Sequence, residues 1–400
     1  MKKSIIFLLI CTALQAGYGQ GGYDTVLRAI ALSSRGERGE AIDILTSEMA
    51  GKPTLNVFLT RGDIYLEGSM IKEARADFMS AEGIKQGAGL YGLARCAAAE
   101  GNAAEATAYL EAHLKSPYKK SEPEIVLDSS FAKVSSSPEW RALWKKEWYK
   151  VSERKKWETE YYLNTGKIDM ASEVYATLAA EYPGMPVTEF CGALMAMARG
   201  NYGEAVKELE PLTRNGSAPS AWLLKLAEAQ AGNGNYNAAA SVYNRLISLE
   251  YPDASLYLKR AEMKARARDT KAAIEDFQEY LGYYPDDFRA LSLLGKTFAE
   301  EGAIYEALPY LNTNIEKHPG ESQAFSLRGD AWFASHTWDK AVEDYTMSLD
   351  LDPESPGVNL NLGMALINCG KAEDACHYLR KAKDLGEKSA AQYLSKYCIK

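Results

Sequence analysis

The chain has 400 residues, of which 46% are hydrophobic and 25% charged, the proportions of an ordinary globular protein. Six cysteines are too few for a disulfide scaffold, and 31 glycines with 14 prolines are too few for a collagenous or low-complexity chain. A formal charge of −8 argues against a general nucleic-acid binder, whose phosphate contacts need a basic surface.

In chain order, Lys2 and Lys3 precede an apolar run from Ile5 to Leu14, followed by the small residues Gly17 and Gly19. That is the order of a secretory signal. The run falls short of the roughly 20 apolar residues that span a bilayer. Residues 1–19 are therefore expected to be a signal peptide cleaved after Gly19. Cys11 follows Ile10 rather than the small residue that a lipoprotein signal requires. A short signal of this kind looks bacterial, so the expected location is the periplasm or the cell exterior, with no transmembrane segment in the mature chain.

Residues 20–117 hold three loosely periodic units. The first carries Ala29, Gly36, Ala41, Leu45 and Pro53; the second Gly62, Tyr65, Ala74, Phe78 and Ala81; the third Ala94, Gly101, Ala106, Leu110 and Pro117. Gly87-Ala-Gly89-Leu-Tyr-Gly92 fits a dinucleotide-binding pattern, but a helix precedes it and no βαβ unit surrounds it, so it reads as a loop entering a helix.

Residues 118–150 break the period and are read as an irregular helical insert. Trp140, Trp144 and Trp148 are four apart and predict one helix face. Seven basic residues and two acidic ones lie between Arg141 and Lys156. The simpler reading packs the tryptophans on the neighbouring hairpin and leaves the lysines solvated; the functional one makes them a docking patch for an acidic or membrane partner.

From 151 to 386 the period is strict. Alanines at 171, 205, 239, 273, 307, 341 and 375 are each 34 apart. Twelve residues before each lies a small one (Ala193, Ala227, Ala261, Gly295, Gly329, Gly363), except Thr159 in the first unit. Apolar spacing of three and four on both sides of a glycine predicts two helices per unit, crossing closely at the small residue. Glycine at 166, 200, 234, 302 and 370 suits a left-handed turn between them. Pro183, Pro285, Pro319 and Pro353 then end the second helix. Residues 387–400 read as a capping helix that covers the last apolar face.

Leu291-x-x-Leu294-Gly295-x-x-Phe298 with Gly302, Ala307, Leu311 and Pro319 resembles the tetratricopeptide repeat family, and the next unit matches through Phe325, Gly329, Trp332, Ala341, Tyr345 and Pro353. The resemblance implies an all-α, right-handed α-solenoid of about ten helical hairpins, three before the insert and seven after. It also implies a concave groove lined by the first helix of each hairpin. Carried over by position, the groove candidates are Leu59, Asp63, Tyr91, Leu224, Glu228, Leu258, Glu262, Lys296 and Asp330, with Arg95 and Glu160 in the same rows. Acidic and apolar rows suit a partly apolar ligand with basic groups.

The expected function is a non-enzymatic exported scaffold for protein or peptide partners, in envelope assembly, secretion or transport. The alternative is a glycan- or substrate-handling envelope protein, since 25 Tyr and 7 Trp offer aromatic faces with polar tips. No catalytic, metal or cofactor motif is recognised, and no cofactor is expected. In an oxidising compartment Cys398 has two candidate partners, Cys369 and Cys376, and the spacing leaves the choice open.

Overall fold

The computed structural model describes residues 21–51, 53–216 and 218–398; the expected signal segment, residues 1–19, lies outside them. Among the described residues there are 23 α-helices, one 3₁₀ turn and no strand. Three hairpins come first: α1 (Gly21–Ser34) with α2 (Arg38–Glu48), α3 (Leu55–Glu67) with α4 (Ile71–Ile84), and α5 (Leu90–Ala99) with α6 (Ala103–Leu114). The insert supplies α7 (Glu122–Val126), the 3₁₀ turn Ser129–Phe131 and α8 (Pro138–Trp144).

Two further pairs follow, α9 (Val151–Asn164) with α10 (Ile168–Glu181) and α11 (Pro186–Ala198) with α12 (Tyr202–Thr213). α13 (Ser220–Gly232) and α14 (Tyr236–Ser248) are next in sequence. The last four pairs are α15 (Ser255–Arg266) with α16 (Thr270–Tyr283), α17 (Phe288–Glu300) with α18 (Ile304–Lys317), α19 (Ser322–Ala334) with α20 (Trp338–Leu351), and α21 (Pro356–Asn368) with α22 (Ala372–Asp384). α23 (Ala390–Tyr397) packs on α22. The chain forms two compact units. The first runs to Gly234 and takes in Arg245–Asp253; the second holds Asn235–Asn244 and everything from Ala254.

The repeated small residue is explained by what faces it sixteen residues later. A Cβ on Gly62 would meet the Phe78 ring at 2.8 Å, one on Gly329 the Tyr345 ring at 2.8 Å, one on Gly295 the Leu311 side chain at 2.5 Å, and one on Gly363 the Leu379 side chain at 2.7 Å. The bulk of the second helix fills the notch that the first leaves open, and a larger residue there would push the axes apart. Gly89 serves the same purpose between α4 and α5, since a Cβ there would overlap the Phe78 carbonyl. The Gly87–Gly92 run is therefore a packing feature.

The turn within each hairpin is left-handed. Gly36, Gly101, Gly166, Gly200, Gly234, Gly302 and Gly370 have φ between 72° and 84°. Where the glycine is missing, the conformation persists: Ser69, Arg268 and His336 occupy the same phase at φ 61°, 63° and 59°. Pro183, Pro285, Pro319 and Pro353 each stand two residues past the end of a second helix.

The insert does not present the expected tryptophan face. α8 stops at Trp144 because the Leu143 carbonyl is taken by the Lys146 N–H at 3.2 Å and by the Trp148 indole at 2.9 Å, which ends the i→i+4 ladder. Trp148 therefore lies beyond the helix. Trp140 is buried, 5.3 Å from Phe131 and 5.8 Å from Trp144, in a core with Ile125, Leu143 and Tyr149; Trp144 and Trp148 are partly buried against it. Two lysines around the insert are occupied internally, Lys146 on Glu111 at 2.7 Å and Lys119 on the Trp148 carbonyl at 2.6 Å. In place of a docking patch of Trp140, Trp144 and Trp148, the simpler packed reading describes the insert: Trp140 is in a local core and the other two are partly covered against it, which removes apolar surface from water.

Cys398 pairs with Cys376, not with Cys369, which is free. The bond ties the end of α23 to α22.

Candidate binding groove

Three clefts lie side by side in the first unit. One is lined by Ile30 of α1, Asn56, Leu59 and Asp63 of α3, and Pro252. The next, about 710 Å³, shares Leu59 and Asp63 and adds Tyr91, Arg95, His113 and Lys120. The third shares Pro123 and Leu127 with the second and adds Trp157, Glu160 and Tyr161 of α9. Neighbouring clefts share lining residues, so the three lie in series as a strip from α1 to α9.

The residues enter the strip for a local reason. In α3 and α5 the side chains at i and i+4 share a face, so Leu59 and Asp63, like Tyr91 and Arg95, point the same way. Arg95 is held on three sides: its Nη1 donates to Asp63 at 2.6 Å, its Nε donates to Ser130 at 3.2 Å, and Asp128 lies 3.5 Å from Nε. Tyr91 donates to Asp128 at 2.7 Å, and Asp128 also caps the 3₁₀ turn by accepting from the Ser130 N–H at 2.8 Å.

Burial pushes the Tyr91 hydroxyl pKa up, and its bond to Asp128 adds to the shift. Burial also acts to raise Asp128, but the hydrogen bonds from Tyr91 and Ser130 and the Arg95 charge outweigh it and hold the carboxyl below its usual range. Asp63 goes the other way. Loss of water around it raises its pKa despite the pull of Arg95. Glu160, beside Lys156, behaves likewise.

His113 is 2% exposed, and its Nε2 accepts from the Lys120 N–H at 3.0 Å, which places the ring proton on Nδ1. Burial, helped by the Lys120 charge, lowers its pKa to about 4, so the imidazole is neutral in the physiological range and serves as a structural acceptor.

Of the nine groove candidates, the structure brings Leu59, Asp63 and Tyr91 together here. Leu224 and Glu228 lie on α13, with Glu228 exposed and 2.7 Å from Lys225. Among the candidates in the second unit, Leu258 is buried, a correction with a simple cause, because an apolar side chain gains by packing on its neighbours. Glu262 is largely covered and bonded to Arg289 at 2.8 Å. Lys296 and Asp330 are exposed; Asp330 accepts from the Tyr345 hydroxyl at 2.7 Å and from Asn361 at 3.1 Å.

The row rule missed Lys120, Leu127 and Asp128, which lie where the period breaks and no register can place them. The Asp128-Ser-Ser signature of a capped turn was the available signal for Asp128. Among the described residues no group of three His, Cys, Asp or Glu is placed to hold a metal ion, and no helix is long and apolar enough to cross a membrane.

Paired helices stacked on their neighbours in each unit define an all-α helical-hairpin repeat protein. Within it, residues 193–255 and 258–322 match one tetratricopeptide repeat profile and residues 356–388 match another.

Human tetratricopeptide repeat protein 16 is 28% identical over 166 residues, covering 38% of this chain and 19% of the human protein. A tetratricopeptide repeat and J domain-containing co-chaperone, DNJ1 of Cryptococcus neoformans, is 29% identical over 151 residues, covering 35% of this chain and 29% of that protein. The matched region thus spans less than a third of either relative.

Among solved structures, MamA of Desulfovibrio magneticus is 20% identical with a TM-score of 0.39, covering 42% of this chain and 94% of that one. The APC/C hetero-tetramer Cut9–Hcn1 is 13% identical with a TM-score of 0.47, covering 94% of this chain and 83% of that one. YrrB, described as a TPR protein with an unusual peptide-binding site, is 18% identical with a TM-score of 0.38, covering 49% and 97%.

Proposed function

We propose that this protein is a non-enzymatic scaffold that binds a segment of a partner protein along the strip from α1 to α9, after export to the bacterial envelope. The observation that carries the binding role is the adjacency of the three clefts, neighbours sharing Leu59 and Asp63 or Pro123 and Leu127. Clefts in series offer successive seats for the side chains of one extended segment. Export is supported by the order of charged, apolar and small residues across positions 2–19 and by the Cys376–Cys398 bond, since disulfides persist in oxidising compartments.

Two measurements test this. Affinity capture from envelope extract on the full mature chain is expected to retain the same protein partners repeatedly and to lose them on Leu59→Glu. Binding to envelope polysaccharide with no retained protein would favour the glycan-handling alternative instead. The N-terminal mass of the exported protein is expected to begin at Gln20; an intact Met1 on cytoplasmic protein would remove the export reading.

A further inference from the structure

One feature of the strip is out of keeping with a merely solvated surface. Leu127 is 81% exposed, with Tyr161 at 56% and Val126 at 51%, and all three line the third cleft beside Trp157. α7 is fixed in this pose. Ser121 and Glu124 form a reciprocal N-terminal cap, Ile125 is fully buried, and the Tyr149 hydroxyl donates to the Lys120 carbonyl at 2.7 Å. Leu127 follows as the residue after the helix and stands between the second and third clefts as a ridge.

The charge around this ridge is predominantly negative. Seven carboxylates line the three clefts (Asp63, Glu67, Glu122, Glu124, Asp128, Glu158 and Glu160) against three cations. Each cation is already engaged: Arg95 by Asp63 at 2.6 Å, Lys120 by Glu124 at 3.4 Å and Arg154 by Glu122 at 3.1 Å. Glu158 is exposed and makes no ion pair among the described residues. An acidic segment laid here would meet unbalanced repulsion, whereas a cationic one would be steered in and held.

Resting on the strip as a binding surface, we propose that the Leu127 ridge is the anchor for a cationic, apolar segment of a partner protein. Its apolar side chains seat on both sides of Leu127, and a lysine or arginine lies between Glu158 and the exposed Tyr161 ring, since Glu160 already carries Lys156 at 3.4 Å. The insert that interrupts the repeats is then the part that sets partner choice.

The test is a random phage-displayed peptide library selected on the full mature chain. Enriched peptides are then synthesised and titrated by fluorescence anisotropy against the parent, Leu127→Ser, Glu158→Lys and Leu59→Glu proteins. The expected peptides combine Lys or Arg with Leu, Phe or Trp. Their affinity is expected to fall about tenfold on Leu127→Ser and by a similar factor on Glu158→Lys, with unchanged melting curves because both side chains are exposed. Acidic enriched peptides, or basic ones indifferent to both ridge substitutions, would overturn the proposal. Peptides lost on Leu59→Glu but not on Leu127→Ser would overturn the ridge and leave the strip standing, whereas no enrichment at all would remove both. Leu127-dependent binding to phosphatidylglycerol vesicles without peptide binding would also count against it.

Discussion

At the scale of single residues, the turn between paired helices sets a backbone requirement that side chains only tolerate. Arg268 is exposed and held at φ 63°, in the position that glycine fills at Gly302 with φ 76°. A left-handed conformation costs an L-residue with a Cβ about 1 kcal/mol relative to glycine. Arg268→Gly is therefore expected to stabilise the protein by up to about 1 kcal/mol, and Gly302→Ala to destabilise it by about the same amount. Urea unfolding midpoints read both. Shifts of the same sign would show that side-chain contacts, not the backbone, govern these turns.

At the scale of elements, hairpins are fastened by a clamp that spans sixteen residues. Arg61 is bidentate on Asp77, Arg260 on Asp276 and Arg328 on Asp344, with all six bonds between 2.6 and 2.8 Å. In each case Nη1 reaches back to the preceding helix, to Thr46, Asn244 or Asn312. One guanidinium thus sets the spacing within a hairpin and its seat on the one before.

The aspartates are almost wholly buried, with side-chain exposures of 5%, 7% and 5%. Removing the arginine strands a charge, which costs about 3–5 kcal/mol. Arg328→Leu is expected to lower stability by roughly that amount, measured by thermal or urea unfolding. Arg328→Leu with Asp344→Leu is expected to recover much of the loss, because the pair's burial costs about as much as its attraction returns. No recovery would mean that the clamp contributes net attraction.

At the scale of the whole molecule, stability in a repeat array is the sum of neighbour contacts. α23 packs on α22, burying Ala390 and part of Leu394. The Cys376–Cys398 bond adds to this contact by closing a loop of 22 residues, a constraint on the unfolded chain of about 3 kcal/mol. Cys398→Ser is expected to abolish hydrogen-exchange protection across α23 and weaken it in α22. Protection in the first unit should stay as it was, because repeats couple mainly to their neighbours. Equal loss of protection in both units would contradict that picture.

The sequence by itself determined the period, the paired helices and where they stop. The small residue that faces Phe78, Leu311, Tyr345 or Leu379, the left-handed glycine and the terminating proline are each dictated by sterics within one hairpin, and local rules read local sterics. The placing of Leu59 with Asp63 and of Tyr91 with Arg95 along the candidate strip was legible for the same reason, since it needs only a helical register.

Tertiary structure decided the rest. Leu258 was buried, Glu262 was paired with Arg289, and Trp140 was drawn into a core with Trp144 and Trp148 partly packed on it, because contacts with other segments are invisible in one repeat's pattern. The Arg–Asp clamp, the choice of Cys376 for Cys398 and the exposure of Leu127 likewise depend on which segments meet, and that is settled by packing across the hairpins and the insert.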